Sequence, residues 1–326
     1  MADVLPPTPG KLMIAGEYAV MRDGGACLAA AVGELVHARL GAISPRPTIR
    51  LTAFGQTMLV PLPSAGVALA EPAGLGRFVA GALAFLQQRH GLTLLRDVDL
   101  RAAGAVGGSK VGLGTSAAVT IATVRAVLAS QPGGEAWPAA DVAACARAIH
   151  LEAQGERGSG YDVTTIALGG TVAYRRSPDR GESLPWPAGL HAAALYCGQP
   201  APTAATLARG TIADSALDAI QAAAGALMAH WPTAVAADLV ADINTCEAAF
   251  QRAAATAPWL WTPPMAALHE VVRAAGCVAR TSGAGAGDCV LAFAADPDLV
   301  ARAVLAWQAR GGSAVARLPD DIAPCP

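Results

Sequence analysis

Lysine is almost missing from this 326-residue sequence: of 23 basic residues, 21 are arginine and only Lys11 and Lys110 are lysine. Both stand in glycine-containing segments, PGKLM and GGSKVGLG. A coding bias toward alanine and arginine accounts for two chance survivors; the other reading is that a compact ammonium was needed at those two places. A net charge of one sign is missing too. The formal charge of −2 gives no overall basic field to hold a nucleic-acid backbone or an anionic membrane, so neither partner is expected. Paired cysteines are absent as well. The seven are scattered and odd in number, with no CxxC and no His-x-x-x-His companion, which points to reduced thiols and away from a structural zinc. No uninterrupted apolar run approaches the roughly 20 residues of a membrane helix, and the opening MADVLPPTPGK lacks the basic start and apolar core of a secretion signal. A soluble, cytoplasmic protein is the expectation.

What the chain does have is apolar residues, 53% of the total, enough to fill the cores of two ordinary domains or one large one. Short apolar or alternating runs at 12–15, 35–40, 48–51 and 98–102 read as strands, and 76–90 has helical spacing. A glycine-rich loop over 104–114 leads into a helix over 116–130 that is apolar nearly all round, hence buried on most sides. A second helix over 141–154 ends at GERGSGYD, and 170–175 reads as a strand. Pro178, Pro185 and Pro187 cluster without periodicity over 177–189, which marks a domain boundary. Beyond it, strands at 191–197, 277–281, 289–294 and 314–318 mix with helical stretches over 203–265, 266–275 and 298–309, an α+β pattern. The division expected is 1–185 and 186–326. There is no internal repeat.

Between Lys110 and the apolar helix lies KVGLGTSAAVT. Its GLGTSA matches the dinucleotide fingerprint G-x-G-x-x-G/A, but that motif needs a strand running straight into the turn, and here residues 103–111 intervene. No Gly-Lys-Ser/Thr follows as in a Walker loop, and the nucleophile elbow G-x-S-x-G is absent. The physical content remains: Gly112 and Gly114 permit close backbone approach, Thr115 and Ser116 offer hydroxyls, and the free amides of a new helix point outward. That is an anion site. Each amide bonded to a charged phosphate oxygen is worth roughly 1.5–3 kcal/mol, so several hold a polyphosphate without a Walker lysine. The competing reading has Ser116 as a helix N-cap worth about 1 kcal/mol. Two further segments are PGKLMIAGEYAV, with Lys11 at the start of a strand, and RTSGAGAGDCVLAF, with three glycines alternating with alanine. Taken singly they are a strand with its turn and a hairpin; the alternative for the second is backbone packed against a ligand or the first glycine loop.

In this order and at these separations, the three segments resemble the three motifs of the GHMP kinase superfamily, and GEYAV with SGAGAGDC is most similar to its phosphomevalonate kinases. The resemblance implies an α+β two-domain fold, with an N-terminal α/β ATP-binding domain containing a left-handed βαβ unit, a ferredoxin-like C-terminal domain, and the active site between them. It implies ATP with its phosphates over Gly112, Leu113, Gly114, Thr115, Ser116 and Ala117, Mg²⁺ on Ser116, and Lys11 with Asp162 of GSGYD as catalytic pair. By the same similarity the acceptor is 5-phosphomevalonate, bordered by Lys11, Tyr18, Lys110, Ser159, Thr203 and Ala284, in the mevalonate pathway of isoprenoid biosynthesis. The sequence itself is silent on oligomeric state, and a monomer or homodimer is the expectation. Local alternatives are helix caps for Asp162 and Thr203 and a surface position for Lys110.

One departure concerns the helix before GSGYD, where many GHMP kinases carry an Mg²⁺-binding glutamate. Here His150 stands nearest, with Glu152 two residues on. Histidine is a poor ligand for hard Mg²⁺, which leaves Glu152 as ligand, or Ser116 with nucleotide and water alone, and a His150 that packs. The rival readings are a mevalonate kinase-like member, a dinucleotide-binding oxidoreductase with Glu135 or Asp141 on the ribose, and a non-catalytic nucleotide-binding module.

Overall fold

The computed structural model describes residues 3–60, 62, 74–134, 136–155, 158–201 and 210–324. Strand β3 (Ala26–Ile43) is 18 residues long, and its first seven residues are all buried. Covered on both faces and rich in alanine, that half shows no alternation; only the half-exposed second part has the period of a strand. β3 is the spine of an eight-stranded sheet. Its order is β10 (Arg180–Leu184), β9 (Thr171–Arg175), β3, β6 (Arg96–Ala102), β4 (Ile49–Ala53) and β5 (Gln56–Val60), with β1 (Asp3–Val4) and β2 (Thr8–Ala15) also paired to β3. β10 falls in the proline-rich stretch expected to be irregular, where it forms an edge strand antiparallel to β9.

β4 and β6 are parallel neighbours, joined by way of β5 and helix α1 (Gly76–His90). The helix expected over 116–130 is α2 (Thr115–Ala129), and every residue of it except Ser116, Arg125 and Ala129 is buried. It packs against α1, α3 (Ala139–Ala153), α4 (Tyr161–Leu168) and β3. A helix enclosed on all sides has no freedom to shift, so the loop feeding its first turn is anchored.

The second sheet is antiparallel, ordered β12 (Val278–Thr281), β13 (Cys289–Ala294), β11 (His191–Tyr196) and β14 (Ser313–Leu318). Helices α5 (Asp214–His230), α6 (Ala236–Thr256) and α7 (Pro263–Ala274) lie between β11 and β12 in the chain, and α8 (Pro297–Gln308) between β13 and β14. That order is the ferredoxin-like split βαβ arrangement. Beyond β14 the chain returns to the first sheet. Gly33 N–H donates to Asp321 O at 2.8 Å, Ala323 N–H to Ala31 O at 3.0 Å, and Gly170 N–H to Ala323 O at 2.8 Å.

Candidate active site

Lys110 ends a two-stranded ribbon, β7 (Ala105–Val106) against β8 (Ser109–Lys110). The chain then passes through Gly112 at φ 77° and Gly114 at φ 78° before entering α2. Gly114 precedes the helix and no side chain caps it. Ser116 lies inside the first turn, so it is not the N-cap, and the first-turn amides are left for another acceptor. Thr115 is buried with its Oγ1 unpartnered; of the two hydroxyls expected at the loop, that of Thr115 is enclosed, and Ser116 is half-buried. Gly114 is needed for space as well as for φ, since a Cβ there would meet Lys11 Cγ at 3.0 Å.

Lys11 reaches this loop from β2. Its N–H donates to Leu113 O and its Nζ to Gly112 O, both at 2.9 Å, and the ammonium stands 5.7 Å from the Tyr161 ring centroid. The only two lysines of the chain thus stand close to one turn, Lys11 bonded to it and Lys110 two residues ahead of Gly112, within electrostatic reach of Lys11. Burial pulls the Lys110 ammonium below the ordinary lysine range; Asp288 and Asp162 oppose that fall and Lys11 adds to it. Asp162 sits within the first turn of α4, after Gly160, rather than ahead of the helix as a cap. Its Oδ1 accepts the Val163 N–H at 2.9 Å. Among the described residues Lys11 and Asp162 form no ion pair, because the lysine is drawn to the Gly112 carbonyl and the carboxylate to its own helix start. α4 packs on β2, so the two still occupy neighbouring elements.

Behind Ser116 stands His150. It is buried, its ring stacks on Phe78 with centroids 4.9 Å apart, and its Nε2 is 3.1 Å from Ser116 Oγ. Burial lowers its pKa, with Arg77 and Lys110 acting in the same direction against Asp162. A neutral imidazole at neutral pH orients the serine hydroxyl. Glu152 is exposed. Among the described residues no three His, Cys, Asp or Glu side chains gather as a metal cage.

The third glycine segment closes the site. Tyr18 O–H donates to the Ala284 carbonyl, and Ser282 Oγ donates to Met13 O at 2.9 Å while accepting its N–H at 3.1 Å. These bonds fasten β2 to the loop after β12. A Cβ on Gly285 would meet Leu260 O at 2.8 Å, and one on Gly287 would meet Gln199 O at 2.5 Å, so both glycines permit close packing. Ser159 is buried, its carbonyl accepting the Tyr174 hydroxyl at 2.5 Å. Thr203 lies outside the described residues.

Below the loop is a group that sequence reasoning missed. Arg280 is fully buried; its Nε donates to Ile14 O at 2.8 Å and its NH1 to Glu247 Oε2 at 2.8 Å, while NH2 donates to Glu17. Burial opposes the charge on the guanidinium, but the two carboxylates outweigh it and hold the pKa above the usual arginine range. Arg280 and Glu17 stand inside quoted motifs and were visible as such; Glu247, on an amphipathic helix, carried no signal.

Two family models match the chain, the GHMP kinases N-terminal domain over residues 77–170 and the GHMP kinases C-terminal domain over residues 248–313. The chain belongs to the GHMP kinase family. A phosphomevalonate kinase from Streptomyces sp. (strain CL190) is 29% identical over 227 residues, a match spanning 57% of this chain and 58% of that protein. The fold is shared with Streptococcus pneumoniae phosphomevalonate kinase, solved in complex with phosphomevalonate and AMPPNP, at a TM-score of 0.82 and 18% identity over 97% of this chain and 99% of that one. It is shared also with Methanococcus jannaschii mevalonate kinase, at 0.76 and 16% over 97% of each chain. No described helix is long and apolar enough to cross a membrane.

Proposed function

We propose that this GHMP kinase transfers the γ-phosphoryl group of ATP to the phosphate of 5-phosphomevalonate, giving 5-diphosphomevalonate and ADP in the mevalonate pathway. The observation that carries this reading is the convergence of two lysines on the Gly112 turn, Lys11 by a 2.9 Å bond to its carbonyl and Lys110 from two residues upstream. An acceptor that is itself a phosphate brings negative charge to a triphosphate, and two ammonium groups offset that repulsion. The likeness to the Streptomyces phosphomevalonate kinase supports the choice of acceptor.

A phosphate monoester has a second pKa of about 6, so at neutral pH the attacking oxygen needs no strong base. It bonds to the γ-phosphorus, the bond from that phosphorus to the β–γ bridging oxygen breaks, and the bridging oxygen leaves with the electron pair as part of ADP. Such transfers pass through a loose transition state that asks mainly for positioning and charge neutralisation. Lys11 neutralises charge where the two anions meet, and Lys110 binds the acceptor's phosphate. The first-turn amides of α2, from Thr115, Ser116 and Ala117, hold the nucleotide's phosphates. Asp162 orients the acceptor, with Tyr18, Ser159, Thr203 and Ala284 around it. Ser116 Oγ, held 3.1 Å from His150 Nε2, fits a Mg²⁺ ion brought in on the nucleotide as a single protein oxygen, since that ion keeps several waters and takes other ligands from phosphates. When bound, the ion would offset negative charge on the nucleotide's phosphates.

The test is to offer purified protein ATP with mevalonate, 5-phosphomevalonate, homoserine or galactose and to follow products by phosphorus NMR. Only 5-phosphomevalonate is expected to react, and turnover of mevalonate alone overturns the reading. Lys110→Met is expected to raise the KM for 5-phosphomevalonate about 10- to 100-fold, the worth of one charged hydrogen bond, with ATP affinity little changed.

A further inference from the structure

The group seated against the Gly112 turn is a carboxylate. Asp288 ends the third loop at φ 58°, its N–H donating to Gln199 O at 2.7 Å and its carbonyl accepting from Cys197 N–H at 2.9 Å. Its Oδ1 accepts the Ala201 N–H at 3.0 Å. The rest of the carboxylate fills the space that a side chain at residue 112 would need, because a Cβ on Gly112 would lie 2.5 Å from both Cγ and Oδ2. Asp288 therefore covers one face of the turn whose carbonyl holds Lys11 Nζ. The adjoining Cys289 adds a contact from Sγ to Val111 O at 3.3 Å.

A carboxylate at the mouth of an anion site weakens anion binding unless it serves the cations there. Two ammonium groups around one turn repel each other, and burial already disfavours the charge on Lys110. The charges acting on Lys110 are Asp288 and Asp162, which favour the ammonium, and Lys11, which disfavours it. Asp288 in turn feels both lysines, against a burial that raises its own pKa.

We propose that Asp288 is a positioning residue for the two-lysine cradle, seating the Gly112 turn and supplying the negative charge that balances Lys11 and Lys110 until the anionic substrates arrive. The inference rests on the phosphoryl-transfer reading only for what the cradle receives; its electrostatic half is measurable with no substrate present. Because the chain has two lysines, lysine-labelled protein gives two ε-carbon NMR signals, and a Lys11→Arg variant leaves that of Lys110.

Asp288→Asn keeps the shape, the acceptor for Ala201 N–H and a residue suited to positive φ. In it the Lys110 signal is expected to titrate about one pH unit lower than in the unmodified protein. The alkaline limb of the activity profile is expected to move by the same interval, so that kcat/KM for 5-phosphomevalonate falls about 10-fold on that limb, while Tm stays within about 2 °C. A Lys110 signal titrating at the same pH in both proteins overturns the proposal, as does an unmoved alkaline limb in an active variant. Should neither protein phosphorylate 5-phosphomevalonate, the functional reading fails and the titration still decides the role of Asp288. Asp288→Gly, which also suits the backbone, carries the same titration if the amide does not fold.

Discussion

Arg280 illustrates how much a single side chain holds here. It bonds to the strand that carries Lys11, through Ile14 O, and to carboxylates from both halves of the molecule, Glu17 and Glu247. Glu247 accepts further bonds from Thr281 N–H at 2.9 Å and Gln251 Nε2 at 3.0 Å. Arg280→Met would leave two carboxylates buried together, and breaking a buried pair in this way costs roughly 3–5 kcal/mol. Urea denaturation is expected to report a loss of that size, partly restored by adding Glu247→Gln; a loss below about 1 kcal/mol would mean that the cluster is not a net source of stability. The Lys11 strand is set by the same bonds, so the double variant is expected to regain stability ahead of activity.

Among the elements, the loop ahead of α2 is the most constrained. Gly112→Ala would force a side chain into positive φ and into the Asp288 carboxylate at 2.5 Å. We expect it to cost about 2 kcal/mol or more in stability, from strain and overpacking, and to lower kcat by at least 10-fold as Gly112 O shifts under Lys11 Nζ. Gly225→Ala is the control: in α5 nothing lies within 4 Å of the added methyl, and Tm is expected to rise, since alanine in a helix is worth about 1 kcal/mol over glycine. The loop was legible in the sequence because glycine, hydroxyl and lysine stand there against a background of alanine and arginine. The helix after it was legible because burial on nearly all sides leaves an apolar run broken only by Thr120, Thr123 and Arg125. The first half of β3 was hidden by that same completeness of burial, and β10 by its edge position, where a few polar residues between prolines carry no period. Asp288 was in plain view in SGAGAGDC, yet its partner is a glycine, which leaves no mark of what it touches. Nor does a sequence say that Lys11 will bond to Gly112 O in place of Asp162.

For the molecule as a whole, the two sheets are fastened through buried polar bonds as well as apolar packing, and this makes stability respond to acid. His269 is fully buried beside Glu247 and Thr281. Burial brings its pKa down to about 4, with Arg273 and Arg280 helping and Glu247 opposing. The unfolded chain takes up that proton near pH 6.5, so stability from this residue is full above pH 6.5 and is lost as pH falls toward 4. The loss is about 3 kcal/mol at most. Thermal denaturation at pH 7 and pH 4.5 is expected to give a smaller difference for His269→Gln than for the unmodified protein; equal differences would assign the acid sensitivity elsewhere. A different consequence follows from the return of residues 321–323 to Ala31, Gly33 and Gly170. On the ribosome, the middle of the first sheet is synthesised early, yet some of its hydrogen-bond partners emerge only after the entire second sheet has been translated. Contacts so distant in sequence close slowly and leave strand edges open meanwhile, which makes the nascent chain, rather than the finished enzyme, the species that chaperones would need to shield.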